Sequence, residues 1–328
     1  MTMNNLNPNI FKDNVEMVPI RNGFGEGLLE AGKLDENVVG LCADLTDSTK
    51  MNFFRDEFPK RFIEVGVAEQ NLASVASGMA AMGKIPFISS YAMFSPGRNW
   101  EQIRTTICYN DVPVKIAGSH AGVSVGPDGG THQAIEDIAI TRVIPNMVVI
   151  SPCDAIEAKK ATMACAKTSA PTYIRLAREK TPIITTEETP FEIGKAYIVY
   201  EPEEKAKVGI IATGALLFKA ILAAKNSTIP VKVMNLATIK PLDVDSIVDL
   251  ASEVGAIVTV EEHQIAGGMG SAVSECLSKY APTPIEFIGM KDVFGQSGTP
   301  EELIKYYEMD EVSIIRAVEK VLERKVKE

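Results

Sequence analysis

Two histidines and an aspartate share one glycine-rich stretch, GSHAGVSVGPDGGTHQAIED (residues 118–137). His120 and His132 are two of the chain's three histidines, and Asp128 lies between them. Gly122, Gly126, Gly129 and Gly130 permit turns and let backbone approach a ligand closely. A metal site does not fit. The histidines are far apart, no HxxxH or HExxH pattern occurs, and the stretch holds no cysteine. Nor do the glycines follow GxGxxG or the Walker spacing, so a nucleotide loop is not indicated. What fits is polar contact to a hydroxylated small molecule, with a histidine as proton carrier.

A second group surrounds Glu69, in GVAEQNLASVASGMA (66–80). This acid follows a strand-like run and opens a helix rich in small residues, and no basic residue is near it in sequence. A helix start favours a carboxylate through the macrodipole alone. Small residues also let another backbone or subunit come close. A carboxylate there would be partly desolvated and able to exchange a proton with a bound ring nitrogen. In SSYAMFSPGRNWEQIR (89–104), Tyr91 and Phe94 come in a chain with only 6% aromatic residues. They suit a flat ring, or ordinary core packing. Asp44 and Ser48 in GLCADLTDSTK, and Arg175 and Arg178 in YIRLAREK, sit at strand ends. Arginine there suits a phosphate or carboxylate, and a surface ion pair is the plainer alternative. EEHQIAGGMGSA (261–272) reads as a tight glycine turn opening a helix.

The elements that must hold these residues alternate along the chain. Apolar strand-like runs at 37–44, 84–90, 112–118, 146–152 and 171–177 are separated by helical patterns at 22–33, 68–82, 98–110 and 154–168. Pro152 and Asp154 mark a helix start. Continuous apolar strands alternating with helices predict an α/β fold with parallel sheets covered on both faces. The stretch 179–195, with its prolines and threonines, breaks the pattern and reads as a linker containing at most one strand. The alternation then resumes, with strands at 207–214, 230–238, 256–262 and 284–290, helices between them, two short helices at the end and a charged tail. At 328 residues the chain exceeds one usual core, so two domains are expected. In open parallel sheets, sites lie at the carboxyl ends of strands, where the polar residues above collect.

Composition narrows the function. Hydrophobic residues are 46% and charged residues 23%, with a net charge of −10 and a pI near 5.1. That argues against nucleic acid or an anionic membrane as the main partner. The N-terminal stretch does not read as a signal peptide, and no apolar run reaches the roughly 18 residues of a membrane span. The five cysteines are scattered and read as buried free thiols, so the expected location is the cytoplasm.

Together these pieces resemble the thiamine-diphosphate enzymes, specifically the transketolase family. The similarity runs from about residue 17 to the end. Its most specific part is HAGVSVGPDGGTHQ, which is similar to the transketolase loop H-x-x-x-x-x-G-x-D-G-x-T-H-Q. CADLTDS and GVAEQNLASVASGMA match in the same order. The resemblance implies a polar leader at 1–16, a pyrimidine-binding domain at 17–180, a linker at 181–194 and a smaller C-terminal α/β domain at 195–328. It implies reversible transfer of a two-carbon ketol unit from a ketose phosphate to an aldose phosphate, as in the pentose phosphate pathway. In that family the acid at the Glu69 position hydrogen-bonds a ring nitrogen of the cofactor's aminopyrimidine and favours its imino tautomer. Tyr91 and Phe94 fall where aromatics stack on that ring, and Asp44 falls near the thiazolium. His120, Asp128 and His132 fall where the sugar's hydroxyls and carbonyl are contacted. Arg21, Ser48 and Arg178 fall where the sugar phosphate is held.

Two departures stand out. The third aromatic of many transketolases is absent, and Arg98 or a neighbour takes that place, which leaves its role open. No GDG…N segment for the diphosphate and its Mg2+ or Ca2+ is present, and the family's N-terminal domain is missing. With its starting Met, the chain reads as a natural small subunit. The implied partner is an N-terminal subunit carrying the metal and diphosphate, in an α2β2 assembly around a homodimer core. Three other readings share the fold: the beta subunit of a 2-oxo acid dehydrogenase, a 1-deoxyxylulose-5-phosphate synthase-like protein, and a non-catalytic scaffold subunit.

Overall fold

The computed structural model describes residues 5–325. The first four residues of the expected leader and the last three of the charged tail lie outside the described residues. The chain opens with β1 (Met17–Pro19), α1 (Ile20–Leu34), β2 (Val38–Cys42), α2 (Asn52–Glu57), β3 (Phe62–Glu64), α3 (Glu69–Ala81) and β4 (Ile85–Tyr91). A short α4 (Trp100–Gln102) widens into a π-helical turn (Ile103–Cys108). Then come β5 (Lys115–Ser119), α5 (Asp137–Arg142), β6 (Val148–Ile150), α6 (Ala155–Ala166), β7 (Thr172–Arg175) and β8 (Lys180–Pro182). The remainder is β9 (Tyr197–Tyr200), β10 (Val208–Ala212), α7 (Leu217–Asn226), β11 (Val231–Asn235), β12 (Thr238–Lys240), α8 (Val244–Val254), β13 (Ile257–Gln264), α9 (Met269–Tyr280), β14 (Ile285–Met290), α10 (Pro300–Tyr306) and α11 (Glu311–Glu323).

The strands form a seven-stranded sheet in the order β12-β6-β7-β5-β4-β2-β3, a five-stranded sheet in the order β14-β13-β10-β11-β9, and a small β1-β8 ribbon. Within the larger sheet β6, β7, β5, β4, β2 and β3 run parallel. β2, β5, β7 and β10 are buried along their whole length, which is why their sequences are apolar runs instead of alternating ones. The α/β architecture with two parallel-rich sheets is as the sequence predicts. All five cysteines are free and buried. No helix among the described residues is long and apolar enough to cross a membrane.

Two features differ from the sequence reading. The single strand expected at 230–238 is broken at Leu236–Ala237. Its second piece, β12, leaves the five-stranded sheet and pairs antiparallel with β6 of the larger one. Lys240 anchors the crossing by donating to the carbonyls of Arg142 at 3.0 Å and Ile144 at 2.5 Å. The leader is also less polar in its role than in its composition. Leu6 and Ile10 are buried with the core of the five-stranded sheet, and Asn7 donates from its backbone to the Ile184 carbonyl.

The linker stretch is tied down by two side chains of α6. Asp154 caps that helix by accepting from the Glu157 amide at 2.8 Å, and also accepts from the amides of Ile184 and Thr185. Lys160 donates to the carbonyls of Thr186, Glu187 and Thr189. α6 packs on α1 at glycines. A Cβ on Gly23 would sit 1.8 Å from the Ala155 carbonyl oxygen, and one on Gly27 would sit 2.7 Å from that of Lys159. Backbone atoms cannot yield as a flexible side chain can. Gly23→Ala should therefore lower the stability of the chain by about 1–3 kcal/mol. Urea denaturation measures this, and an unchanged midpoint would contradict the helix contact.

Candidate active site

β2, β4, β5 and β7 are parallel neighbours, so the segments that leave their carboxyl ends meet on one edge of the larger sheet. β2 runs into Asp44, β4 ends at Tyr91, β5 leads into His120 and β7 leads towards Arg178.

Glu69 is the first residue of α3 and is only 1% exposed. Its Oε2 accepts from Arg98 Nη1 at 2.9 Å. The expectation that no basic group partners Glu69 is thus corrected. The partner lies 29 residues further on and is brought back by β4 and the turn that follows. That turn is closed by amide bonds from Phe94 to the Tyr91 carbonyl and from Arg98 to the Phe94 carbonyl. It lays the Arg98 guanidinium 4.8 Å from the centre of the Phe94 ring. Arg98, whose role the sequence left open, thereby bridges the acid and the aromatic. Asn99 adds a bond from its amide to the Glu69 carbonyl at 2.9 Å. The other carboxylate oxygen, Oε1, has one long contact, with Ser90 Oγ at 3.5 Å.

Tyr91 stacks on the His120 imidazole at 3.8 Å and lies 6.4 Å from Phe94. His132 stands edge-on to Phe94 at 5.6 Å. His120 Nε2 is 3.0 Å from Arg21 Nη1, and its Nδ1 is 2.9 Å from Ser119 Oγ. A guanidinium can only donate, so Nε2 is the acceptor and the ring proton sits on Nδ1. Burial, followed by the charges of Arg21, Arg178 and His132, lowers the His120 pKa to about 3. Its imidazole is thus held neutral, with its Nε2 lone pair engaged by Arg21. His132 is half-buried, and its Nδ1 lies 3.0 Å from Thr131 Oγ1.

Arg21 Nη1 also donates to the Ser48 carbonyl at 2.8 Å, so Ser48 enters the group through its backbone. Among the described residues, the buried Arg21 Nε has no hydrogen-bond partner. Burial and the nearby Arg178 charge lower the Arg21 pKa, while Glu179, 3.4 Å from Arg178, acts in the opposite direction. Arg178 donates to the Val125 carbonyl at 2.7 Å, across the glycine-rich stretch. Glu69, Arg98, Phe94, Tyr91, His120, Arg21 and Ser48 therefore form one line of contacts, with His132 and Arg178 beside it.

Asp44 and Asp128 stand apart from that line. Asp44 is exposed, shares an open cleft with Ser48 and Glu64, and gives its amide to Glu64 Oε1 at 2.6 Å. Asp128 is exposed at the end of a short 3-10 turn (Val123–Asp128), and its side chain makes no hydrogen bond or ion pair among the described residues.

Arg175 is not available to an anion. It is buried and paired with Asp137 at 2.8 Å, and it donates to the carbonyls of Ala134 and Glu262. Asp137 also accepts from the buried Tyr173 hydroxyl at 2.6 Å. The EEHQ stretch is more than a glycine turn. Glu261 caps α9 at the amides of Met269 and Gly270, and burial raises its pKa to about 7. Glu262 accepts the Ser124 amide at 2.6 Å, and His263 Nε2 accepts the Ala139 amide. These residues join the two sheets behind the glycine-rich stretch, a role that spacing within 261–272 could not reveal.

The arrangement fits the aminopyrimidine half of thiamine diphosphate. Glu69 Oε1 is a buried carboxylate oxygen with spare acceptor capacity, the Phe94 ring lies beside its Arg98 partner, and the Tyr91 ring lies 6.4 Å from Phe94. For a metal the donor set is lacking, since no group of three or more His, Cys, Asp or Glu is placed to hold one among the described residues.

Residues 16–183 match the family described as transketolase, pyrimidine binding domain, and residues 194–314 match transketolase, C-terminal domain. A protein of Methanocaldococcus jannaschii named for a transketolase C-terminal section is 45% identical over 91% of this chain and 95% of its own length. A 6-deoxy-6-sulfo-D-fructose transketolase subunit of Clostridium sp. is 37% identical over 93% of this chain and 95% of its own. Human transketolase is 34% identical over 92% of this chain, which spans only 49% of the human protein. A solved structure described as a split gene transketolase, inactive beta4 tetramer, is 41% identical, superposes with a TM-score of 0.87 and covers 94% of this chain and 100% of its own. The chain therefore belongs to the transketolase family and matches its pyrimidine-binding and C-terminal domains.

Proposed function

We propose that this chain is the small half of a two-chain transketolase. It transfers a two-carbon ketol unit from a ketose phosphate to an aldose phosphate, together with a partner subunit that brings the diphosphate- and metal-binding domain. The observation that carries the reading is the continuous line of contacts from buried Glu69 through Arg98, Phe94 and Tyr91 to His120 and Arg21. One end of that line is acidic and aromatic, and the other is cationic.

Thiamine diphosphate, when bound, supplies the electron sink that carries the ketol unit. Glu69 holds an exchangeable proton at a ring nitrogen of the aminopyrimidine. Tyr91 and Phe94 exclude water from that ring. Asp44 faces the thiazolium side from its cleft, and Asp128 and His132 contact the sugar's hydroxyls and carbonyl. His120, with its ring nitrogens taken by Arg21 and Ser119, holds the Arg21 guanidinium toward the sugar and packs on Tyr91. Arg21, Ser48 and Arg178 hold the sugar's anionic end, and the unpartnered Arg21 Nε supports this role. A guanidinium pair suits any tetrahedral oxyanion, so the sulfonated sugar in the Clostridium relative's name is consistent with the same subsite.

The half-length match to human transketolase supports the partner, as does the inactive state of the split-gene relative that forms a tetramer of one chain. An α2β2 assembly around a homodimer core is the arrangement we propose, with Mg2+ or Ca2+ on the partner. The scaffold reading is weaker, because a drifted site would have lost some of Glu69, Asp128 and His132.

Two outcomes follow. Glu69→Gln should leave the fold intact and lower ketol transfer in the two-chain complex by about 10²–10⁴-fold, since the acid of the relay is gone. A wild-type rate would contradict the assignment of Glu69. The His120 ring should stay neutral from about pH 8 down to about pH 5, because its pKa lies near 3 against about 6.5 in the unfolded chain. The unfolded chain then binds the extra proton, so this residue costs stability as pH falls below about 6.5. Imidazole ¹⁵N shifts report the titration directly, and a His120 midpoint between about pH 6 and 7 would contradict the buried, Arg21-bound geometry.

A further inference from the structure

We propose that the segment 291–299 of the second sheet's domain is a rigid stop that positions the sugar-facing stretch 120–132, with Gln133 as the positioning residue between them. This rests on the reading of 120–132 as the sugar site.

Gln133 is buried. Its Nε2 donates to the Val123 carbonyl at 3.1 Å within the stretch and to the Gln296 carbonyl at 2.9 Å across the domain boundary. Its Oε1 faces Gly295, where a Cβ would sit only 1.7 Å away. Three glycines of the stretch meet the same segment. A Cβ on Gly126 would lie 3.2 Å from the Gly298 carbonyl oxygen, one on Gly129 2.8 Å from Ser297 Oγ, and one on Gly130 2.7 Å from the Gly295 carbonyl oxygen. These glycines thus serve the approach of one domain's backbone to another's as well as turn geometry.

The segment is itself held from three sides. Gln264, at the end of β13, donates to the Val293 carbonyl at 2.9 Å and accepts the Asp292 amide at 3.0 Å. Tyr307 donates its hydroxyl to the Phe294 carbonyl at 3.1 Å. Thr299 and Glu302 form a capping box that fixes the start of α10. Asp128 and His132 have few hydrogen bonds of their own, although the His132 ring stands edge-on to Phe94 at 5.6 Å. Asp128 has no side-chain bond among the described residues, and the one hydrogen bond at the His132 ring is with its neighbour Thr131. Where these two side chains sit is therefore set by backbone position, and the stop sets that position. A site displaced by a fraction of an ångström loses much of its advantage in orienting a substrate.

The test is Gly295→Ala, which forces Gln133 aside. Amide hydrogen exchange on the full chain should show the Gly129 and His132 amides exchanging about tenfold faster or more, with β5 and β7 unchanged. In the two-chain complex the KM for the sugar phosphates should rise about tenfold while kcat changes by less than about threefold. If Gly295→Ala does not fold, Gln133→Asn, which withdraws the amide without adding a clash, should show the same two changes. Unchanged exchange overturns the stop. Faster exchange with an unchanged KM overturns the positioning role. A wild-type complex without ketol transfer counts against the functional reading of the chain, and the exchange measurement then decides the stop by itself.

Discussion

A buried carboxylate must find a counter-charge or hydrogen-bond donors, and much of this site is arranged around that need at Glu69. The residue opens α3 with 1% of its surface exposed. A helix start supplies partial positive charge, and its exposed amides offset only part of the lost hydration. Arg98 supplies the rest from the turn after β4. Bringing Arg98 over the acid fixes the turn, and the fixed turn presents Phe94 and Tyr91. Tyr91 lies on His120, and His120 is held by Arg21. One electrostatic constraint at a strand-helix junction thus reaches, contact by contact, to the cationic end of the site.

A second buried network keeps the two sheets in register behind that line. Arg175 pairs with Asp137 Oδ2 and donates to the carbonyls of Ala134 and Glu262, while the Glu262 carboxylate takes the Ser124 amide. Removing one member would leave its partners buried and unpaired, which is costly in a low-dielectric interior. The glycine-rich stretch is thereby anchored at Ser124 and Ala134, and its middle is left to rest on the 291–299 segment.

Much of this was legible in the sequence, for identifiable reasons. Apolar runs announced the strands because strands covered on both faces have no polar side, and Asp154 announced its helix because capping is local. The break at Leu236–Ala237 was not legible, since an apolar run looks the same whether its end joins one sheet or another. The site divided along the same line. His120, Asp128 and His132 were singled out together because they are close in sequence, although Asp128 stands apart from the line of contacts. Pairings over long separations, Glu69 with Arg98 and Arg175 with Asp137, needed the fold. Arg175 was left open between an anion contact and a surface ion pair, because a buried structural arginine looks like either in sequence. The neutral state of His120 also came only from burial and the neighbouring guanidinium groups.

The central claim is that this chain carries the proton relay and sugar site of a transketolase but needs a second chain to complete it. The most direct measurement is ketol transfer from xylulose 5-phosphate to ribose 5-phosphate with thiamine diphosphate and magnesium. It would be run on the chain alone and on the complex it forms with its partner in cell extract. The account predicts transfer by the complex and none by the chain alone. Transfer by the isolated chain, or none by either, would contradict it.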